Sequence, residues 1–94
     1  MSYNLGFDRR ALKEWNKLGD TVRRQFKKKL MGVLQEPHVE ANRLQGFANC
    51  YKIKLKASGY RLIYQVVDRE VLVWVVAIGK RERGDAYQKA KGRL

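Results

Sequence analysis

Basic and apolar side chains alternate in residues 50–61, CYKIKLKASGYR, and this segment holds the strongest chemical signal in the chain. Successive side chains of a β-strand point to opposite faces, so Lys52 and Lys54 share one face and the apolar residues take the other. If a short turn pairs this strand with the next one, Arg61 joins the two lysines. A cationic surface on a rigid sheet indicates a polyanionic ligand.

The cations of this segment have no acidic neighbour in sequence, because no Asp or Glu stands between Glu40 and Asp68. Like charges that face one another across a sheet lower its stability. We interpret the uncompensated charge as a surface kept for an anion, although exposed lysines on an edge strand also deter aggregation. The residues concerned are Arg43, Lys52, Lys54, Lys56 and Arg61.

A second basic group, GKRER at 79–83, follows the most apolar segment of the chain. Arg81 and Arg83 stand at the end of a predicted central strand, where a guanidinium can bind a phosphate in bidentate geometry. A charged strand-to-helix turn is the alternative. Tyr87 comes shortly afterwards, and its ring would either stack on a base or cover the end of the core.

The composition describes one basic domain spanning residues 1–94. The chain has 21 Lys and Arg against 9 Asp and Glu, a formal charge of +12, which favours nucleic acid, an anionic membrane or an acidic protein as partner. Cys50 and His38, each the only residue of its type, are too few for a zinc site, and we expect neither metal nor cofactor. With no apolar stretch of about 20 residues, we expect a cytoplasmic protein without a membrane segment.

The N-terminal half predicts a short strand followed by two helices. The first helix, over residues 9–18, has Leu12 on its inward face and ends at Gly19 in a left-handed conformation. Asp20 or Thr21 would cap the second helix.

The second helix has an inward apolar stripe that includes Phe26 and Leu30, and Pro37 prevents its continuation. Residues 37–49 have no sustained period and are predicted to form a loop anchored by Leu44 and Phe47.

The C-terminal half predicts an antiparallel meander of three strands, at 51–56, 60–67 and 71–79. The third of these is apolar on both sides and should be central. A last helix within 83–93 is expected to be marginal, because its glycines are unfavourable and its apolar stripe is thin. The predicted fold is α+β, with two N-terminal helices packed on a four-stranded, mainly antiparallel sheet and a short C-terminal helix.

Four segments together resemble one known family, the RelE toxins of bacterial toxin–antitoxin pairs. The likeness runs almost end to end and implies the RelE-like microbial RNase fold. The segments are FDRRALKEWNKLG at 7–19, EANRLQG at 40–46, CYKIKLKASGYRLIYQV at 50–66 and IGKRERGDAY at 78–87.

The resemblance implies a ribosome-dependent endoribonuclease that cleaves mRNA in the A site of the 70S ribosome. The ribose 2′-hydroxyl attacks the adjacent phosphate, leaving a cyclic phosphate and a 5′-hydroxyl. It also implies a RelB-like antitoxin that covers the basic surface and displaces the C-terminal helix. Operator DNA would be contacted only indirectly, through the antitoxin complex.

Carried over position by position, the resemblance assigns catalytic roles to five residues. Lys52 and Lys54 match the lysines that activate the 2′-hydroxyl and stabilise charge, Arg61 the phosphate clamp, Arg81 the leaving-group acid and Tyr87 the residue that orients or stacks the codon. The chemistry is reasonable, since neighbouring cations and partial desolvation lower the pKa of a lysine towards that of a useful base.

Further contacts to RNA are expected from four residues around this set: Arg43, Gln45, Lys56 and Arg83. Gln45 departs from the arginine that is usual in the family, so this position donates hydrogen bonds but brings no charge.

Two other functions compete with this reading. The related ParE toxins inhibit DNA gyrase without cleaving nucleic acid. A non-catalytic RNA-binding module would use the same cations only to contact phosphates, with binding that falls steeply as salt rises.

Overall fold

The computed structural model describes residues 2–94 and has the predicted α+β architecture. A four-stranded sheet is combined with three α-helices and short 3₁₀ turns at 40–42, 68–70 and 82–84. In chain order the elements are β1 (Asn4–Phe7), α1 (Arg9–Lys17), α2 (Asp20–Gln35), β2 (Cys50–Lys54), β3 (Tyr60–Val67), β4 (Leu72–Lys80) and α3 (Asp85–Arg93).

The sheet has the strand order β1-β4-β3-β2, which confirms the predicted meander and places the first strand beside its last strand. β2, β3 and β4 are antiparallel neighbours, whereas β1 runs parallel to β4. β1 pairs only with residues 72–75, so within residues 2–94 no strand lies on the outer side of the second half of β4.

Helices α1 and α2 supply the apolar side chains that cover the first face of the sheet. Phe26 and Leu30 of α2 are buried in this core, as their spacing predicted. In α1 the buried residue is Ala11, and Leu12 is 43% exposed, so the inward position predicted for Leu12 is wrong. The helix lies close to the sheet through its smallest side chain, which apolar periodicity alone does not reveal.

The two N-terminal helices begin at different kinds of cap. Asp8 caps α1, since its Oδ1 accepts a hydrogen bond from the N–H of Arg10 at 2.8 Å. Gly19 is extended rather than left-handed, with φ −65° and ψ 157°, and is itself the N-cap of α2. Asp20 is therefore the first helical residue, not the cap, and its carboxylate pairs with Arg23 at 2.7 Å. Two extended residues suffice to connect the helices because Leu18 is held in the core.

Helix α3 covers part of the second face of the sheet together with the loop before β2. Ala86 and Ala90 are fully buried there, and Leu44 and Phe47 contact the same core, which confirms the two predicted loop anchors. A Cβ added at Gly79 of β4 would collide with Asp85 and lie 3.0 Å from the backbone nitrogen of Ala86. The helix expected to be marginal is thus a nine-residue element seated closely on β4.

Candidate active site

The β2–β3 hairpin brings three cations to the second face of the sheet, as the alternating pattern predicted. Lys54 lies directly opposite Arg61, and Lys52 lies opposite Ile63. The apolar partners in the same strands, such as Ile53 and Leu62, face the α1–α2 core instead. Period-two alternation therefore separates a buried apolar face from a cationic one.

A β-bulge places Arg81 on this same face. The register shifts between Ile63 and Tyr64, so that Ile63 pairs with Ala77, Tyr64 pairs with Val75, and Val76 is the extra residue. Val76 and Ala77 consequently both contact the α3 core, whereas Val75 contacts the α1–α2 core. With strict alternation position 81 would follow Val75 to the first face; the bulge turns it to the second.

Lys54, Arg61 and Arg81 line a cavity of about 320 Å³, which is within the size range of pockets that hold small ligands. Its floor includes the backbone of Gly59, whose carbonyl accepts a hydrogen bond from the Arg81 N–H at 2.7 Å. We name the cationic surface in and beside this cavity the basic cleft, and define it as Lys52, Lys54, Lys56, Arg61 and Arg81. The cavity itself is lined by Lys54, Leu55, Lys56, Gly59, Tyr60, Arg61 and Arg81.

The basic cleft is electrostatically uncompensated. Within residues 2–94, none of its cations forms an ion pair with a carboxylate. Lys52 and then Arg61 are the main causes that lower the pKa of Lys54 below its ordinary value of 10.5, with a smaller contribution from desolvation. The arrangement therefore favours the neutral, proton-accepting form of one lysine while leaving positive charge around it.

Tyr87 reaches the cleft from α3. Its hydroxyl oxygen accepts a hydrogen bond from Arg61 Nη1 at 2.9 Å, and the Arg61 guanidinium carbon lies 5.5 Å from the centre of the Tyr87 ring. The ring is half-buried against the α3 core. The ring thus covers the end of the core, as one of the two alternatives predicted, and it also contacts a cation of the cleft, while stacking on a base stays a prediction.

The residues expected to make further RNA contacts do not share one site. Lys56 lines the cavity, whereas Arg83 is exposed on the turn before α3 with a left-handed φ of 57°. Arg43 and Gln45 line a separate depression of about 570 Å³ on the loop before β2, and Arg43 Nη1 lies 3.0 Å from a Glu40 carboxylate oxygen. The structure therefore places three of the four outside the lining of the cavity.

Sequence reasoning missed two residues that shape the site, one in the wall of the cavity and one beneath α3. Tyr60 forms one wall, and the Lys80 ammonium lies 5.5 Å from the centre of its ring. Gly79 stands opposite Arg61 in the sheet, and its missing side chain lets α3 approach β4. The available signal was their position in the sequence, since Tyr60 is the first residue of β3 after the turn and Gly79 is the first residue of the second basic group.

Other reactive side chains lie apart from the cleft. Burial raises the pKa of the Cys50 thiol to about 11, which is typical of a structural thiol. His38 Nε2 lies 3.0 Å from a carboxylate oxygen of Asp68, at another part of the surface. Among residues 2–94, no group of three or more His, Cys, Asp and Glu side chains is placed to hold a metal ion. Over the same residues, no helix is both long and apolar enough to cross a membrane.

Comparison with known proteins gives consistent matches over the whole chain. A family model described as the ParE toxin of type II toxin–antitoxin systems, parDE, matches residues 5–84. The mRNA interferase toxin RelE of Escherichia coli (strain K12) is 60% identical over 94 residues, which are 100% of this chain and 99% of that protein.

Solved structures agree with this match. The free E. coli toxin RelE, as an R81A/R83A mutant, superposes with a TM-score of 0.93 at 57% identity and covers 100% of this chain and 99% of its own. A chain of the intact E. coli RelBE toxin–antitoxin complex superposes with a TM-score of 0.85 at 62% identity, covering 87% of this chain and 100% of its own. The free-toxin match therefore includes every element that carries the basic cleft.

Proposed function

Because this chain belongs to the ParE toxin family of type II toxin–antitoxin systems, and within it to the RelE toxins, we propose that it is an mRNA interferase that cleaves mRNA in the ribosomal A site. The observation that carries the assignment of the site is the basic cleft, whose cations have no carboxylate partner within residues 2–94. A phosphodiester entering the cleft would supply the missing negative charge.

The reaction is an internal transesterification of RNA. The 2′-oxygen of one nucleotide forms a bond to the adjacent phosphorus, and the bond from that phosphorus to the 5′-oxygen of the next nucleotide breaks. The products are a 2′,3′-cyclic phosphate and a 5′-hydroxyl. One proton leaves the 2′-hydroxyl and one is delivered to the departing 5′-oxygen, so the step needs a base and a stabiliser of developing charge.

Lys54 is the residue best suited to accept the proton from the 2′-hydroxyl. Lys52 and Arg61 lower its pKa, and its ammonium position inside the cavity is open to substrate. Arg61 is held opposite Lys54 and binds the phosphate. As the phosphate gains negative charge, the remaining cations stabilise it.

Arg81, which also lines the cavity, acts on the leaving group. Its backbone N–H is tied to the carbonyl of Gly59, so the start of its side chain is fixed relative to the β2–β3 turn. A guanidinium loses a proton reluctantly, so the main contribution of Arg81 is to stabilise the 5′-oxygen and share a proton with it.

The ribosome aligns the reacting atoms of the mRNA, which the cleft alone does not do. The cavity is open and holds no histidine, and the attack requires the 2′-oxygen, the phosphorus and the 5′-oxygen to be in line. Since alignment can contribute about 7–11 kcal/mol to such reactions, a codon held in the right pose in the A site reacts far faster than free RNA.

The chain's partners follow from the same assignment. A RelB-like antitoxin neutralises the toxin, and structures of E. coli RelE exist with its antitoxin RelB. We also infer a cytoplasmic location, because the substrate is mRNA on translating ribosomes. Contact with operator DNA arises only through the antitoxin complex.

Cleavage mapping tests the proposed function. The purified protein is incubated with programmed ribosomes and, separately, with the same naked mRNA, and 5′ ends are mapped by primer extension. We expect cuts at the A-site codon only when ribosomes are present. Cuts on both RNAs would contradict the ribosome dependence, and binding without any cut would favour the non-catalytic module.

Gyrase inhibition is the second candidate, since the family model that matches residues 5–84 is the one for ParE toxins. A supercoiling assay with purified gyrase decides between the two. We expect no inhibition at toxin concentrations that stop translation; inhibition without mRNA cleavage would replace the proposed function.

A further inference from the structure

The outer edge of β4 is completed by side chains where β1 ends. β1 pairs with residues 72–75 only, and beyond it the backbone groups of Val76 and Ile78 point away from β3. Unpaired backbone groups at a partly buried edge are unfavourable, so they need other partners. Three side chains supply these partners: Glu14 from α1, and Lys89 and Arg93 from α3.

Each contact at this edge is a hydrogen bond to the β4 backbone. The N–H of Ile78 donates to Glu14 Oε1 at 3.1 Å, and the carbonyl of Ile78 accepts from Lys89 Nζ at 3.2 Å. Arg93 Nη1 donates to the carbonyl of Val76, the bulge residue, at 3.0 Å. The side chains thus take the place of the missing part of β1.

The carboxylate of Glu14 also joins the two helices that lie on opposite faces of the sheet. Arg93 donates from Nη1 to Oε1 at 2.9 Å and from Nη2 to Oε2 at 2.7 Å, a bidentate pair. Lys89 Nζ lies 3.1 Å from Oε2. We call this set of contacts among Glu14, Lys89 and Arg93 the Glu14 bridge.

The Glu14 bridge is partly withdrawn from water. Only 18% of the Glu14 side chain and 10% of the Arg93 side chain are exposed. Desolvation would raise the pKa of Glu14, but the hydrogen bonds from Arg93, from the Ile78 N–H and from Lys89 outweigh it and lower the pKa below its ordinary value. Partly buried charges that are fully hydrogen-bonded hold their partners more firmly than an exposed surface pair does.

The bridge lies at the C-terminal end of the helix that carries Tyr87. Arg93 follows Tyr87 by six positions, about 9 Å along a helix at ~1.5 Å per residue. At the other end of the helix, Gly79 allows the close contact with Ala86. The position of the Tyr87 hydroxyl on Arg61 therefore depends on a helix attached at both ends.

We propose that Glu14 is a positioning residue for the cleavage reaction, which holds α3 against β4 and so keeps Tyr87 in contact with Arg61. This inference rests on the proposed function for its catalytic consequence, but not for the attachment of the helix. Glu14 itself is outside the cavity and touches none of its lining residues in the hydrogen-bond network.

Glu14→Gln is the sharpest variant, because it keeps the shape of the side chain. The amide oxygen can still accept from the Ile78 N–H, but the uncharged group forms no ion pair with Lys89 or Arg93. Asp20→Asn is the matched control: it also removes one carboxylate from an ion pair with an arginine, at the start of α2 and away from the cleft.

The kinetic test is a double-mutant cycle with Tyr87→Ala, in which steady-state cleavage over a range of programmed-ribosome concentrations gives kcat and KM for each variant. We expect Glu14→Gln to lower kcat at least about tenfold, since displacements of about 1 Å at a catalytic group can cost about a hundredfold. KM should stay unchanged. In the Tyr87→Ala background Glu14→Gln should have no further effect, because the group it positions is gone.

Amide hydrogen exchange provides a readout that does not need activity. In Glu14→Gln, exchange in residues 85–93 should quicken by about tenfold or more while β3 stays protected, which marks local release of the helix. Asp20→Asn should change neither exchange nor kcat. Equal losses of kcat in both backgrounds, or unchanged exchange in α3, would overturn the proposal. A wild-type chain that does not cleave would refute the proposed function, and exchange alone would then decide whether Glu14 holds α3.

Discussion

The basic cleft and the Glu14 bridge are two clusters of cations on the same small sheet. They differ in whether the positive charges are paired with a carboxylate. In the cleft, Lys54 faces Arg61 directly, and among residues 2–94 no carboxylate lines the cavity. In the bridge, both cations contact the carboxylate of Glu14 and also donate to the β4 backbone. The positive charge of the cleft is therefore uncompensated, whereas the cations of the bridge are paired and hydrogen-bonded.

The difference separates charges that serve the fold from charges that serve a ligand. Partly buried ions lower stability unless they are paired and hydrogen-bonded, and the bridge meets both conditions. Repulsion between like charges in the cleft opposes folding, so its benefit must come from a molecule outside the chain. Substitutions in the bridge should therefore lower the stability of the fold, whereas substitutions in the cleft should lower the cleavage activity without lowering stability.

Removal of Arg81 should have the largest effect on cleavage. We expect Arg81→Ala to lower the cleavage rate by about 10²–10³-fold, the usual loss when one stabiliser of developing charge is removed, while ribosome binding changes little. Single-turnover cleavage and a ribosome pelleting assay measure the two quantities. Arg69→Ala, which removes an exposed charge from the 68–70 turn, is the control. Unimpaired cleavage by Arg81→Ala would remove this residue from the mechanism.

The free energy of unfolding should fall when the bridge is broken but not when a cation of the cleft is removed. Arg93→Met leaves the Glu14 carboxylate without its bidentate partner and should lower the free energy of unfolding by about 1–3 kcal/mol. Lys54→Met should leave that free energy unchanged or raise it, because repulsion with Lys52 and Arg61 is relieved. Urea denaturation followed by circular dichroism compares the two variants. A larger loss for Lys54→Met than for Arg93→Met would contradict the division of roles.

The pH dependence of cleavage should report the repulsion inside the cleft. The neutral form of Lys54 accepts the proton, so kcat/KM should rise with pH towards a pKa that lies below the ordinary 10.5. Lys52→Met removes the largest cause of that lowering, which raises the pKa of Lys54 and moves the rise in rate to higher pH. Rate profiles of both proteins test the shift. An unmoved profile in Lys52→Met would show that Lys54 is not the titrating base.

The smallest effect on cleavage is expected at Arg43, whose charge is paired with a carboxylate as the charges of the bridge are. It is paired with Glu40 and lines a different depression from Arg81. Arg43→Ala should therefore lower cleavage at most a few-fold and should weaken ribosome association mainly at low salt, as expected for the loss of one phosphate contact. Cleavage measured at two salt concentrations checks this. A loss as large as that of Arg81→Ala would extend the active site onto the loop.

Much of the fold could be predicted because it depends on local patterns. Alternation in residues 50–61 predicted both the hairpin and the shared face of Lys52, Lys54 and Arg61, and the helical stripe predicted the burial of Phe26 and Leu30. Errors arose where a small residue took the inward place. Ala11 is buried instead of Leu12, and Ala86 and Ala90 seat a helix whose apolar stripe looked thin.

The sequence by itself determined the cationic hairpin, the order of elements and the absence of acidic residues between Glu40 and Asp68, since each follows from residues close together in the chain. Only the tertiary structure decided that Arg81 turns to the face of Lys54, because a bulge at Val76 arises from pairing with β3. The same holds for Tyr87, which meets Arg61 through Gly79 and the distant Glu14. Such contacts join residues far apart in sequence, and no local period of side chains encodes them.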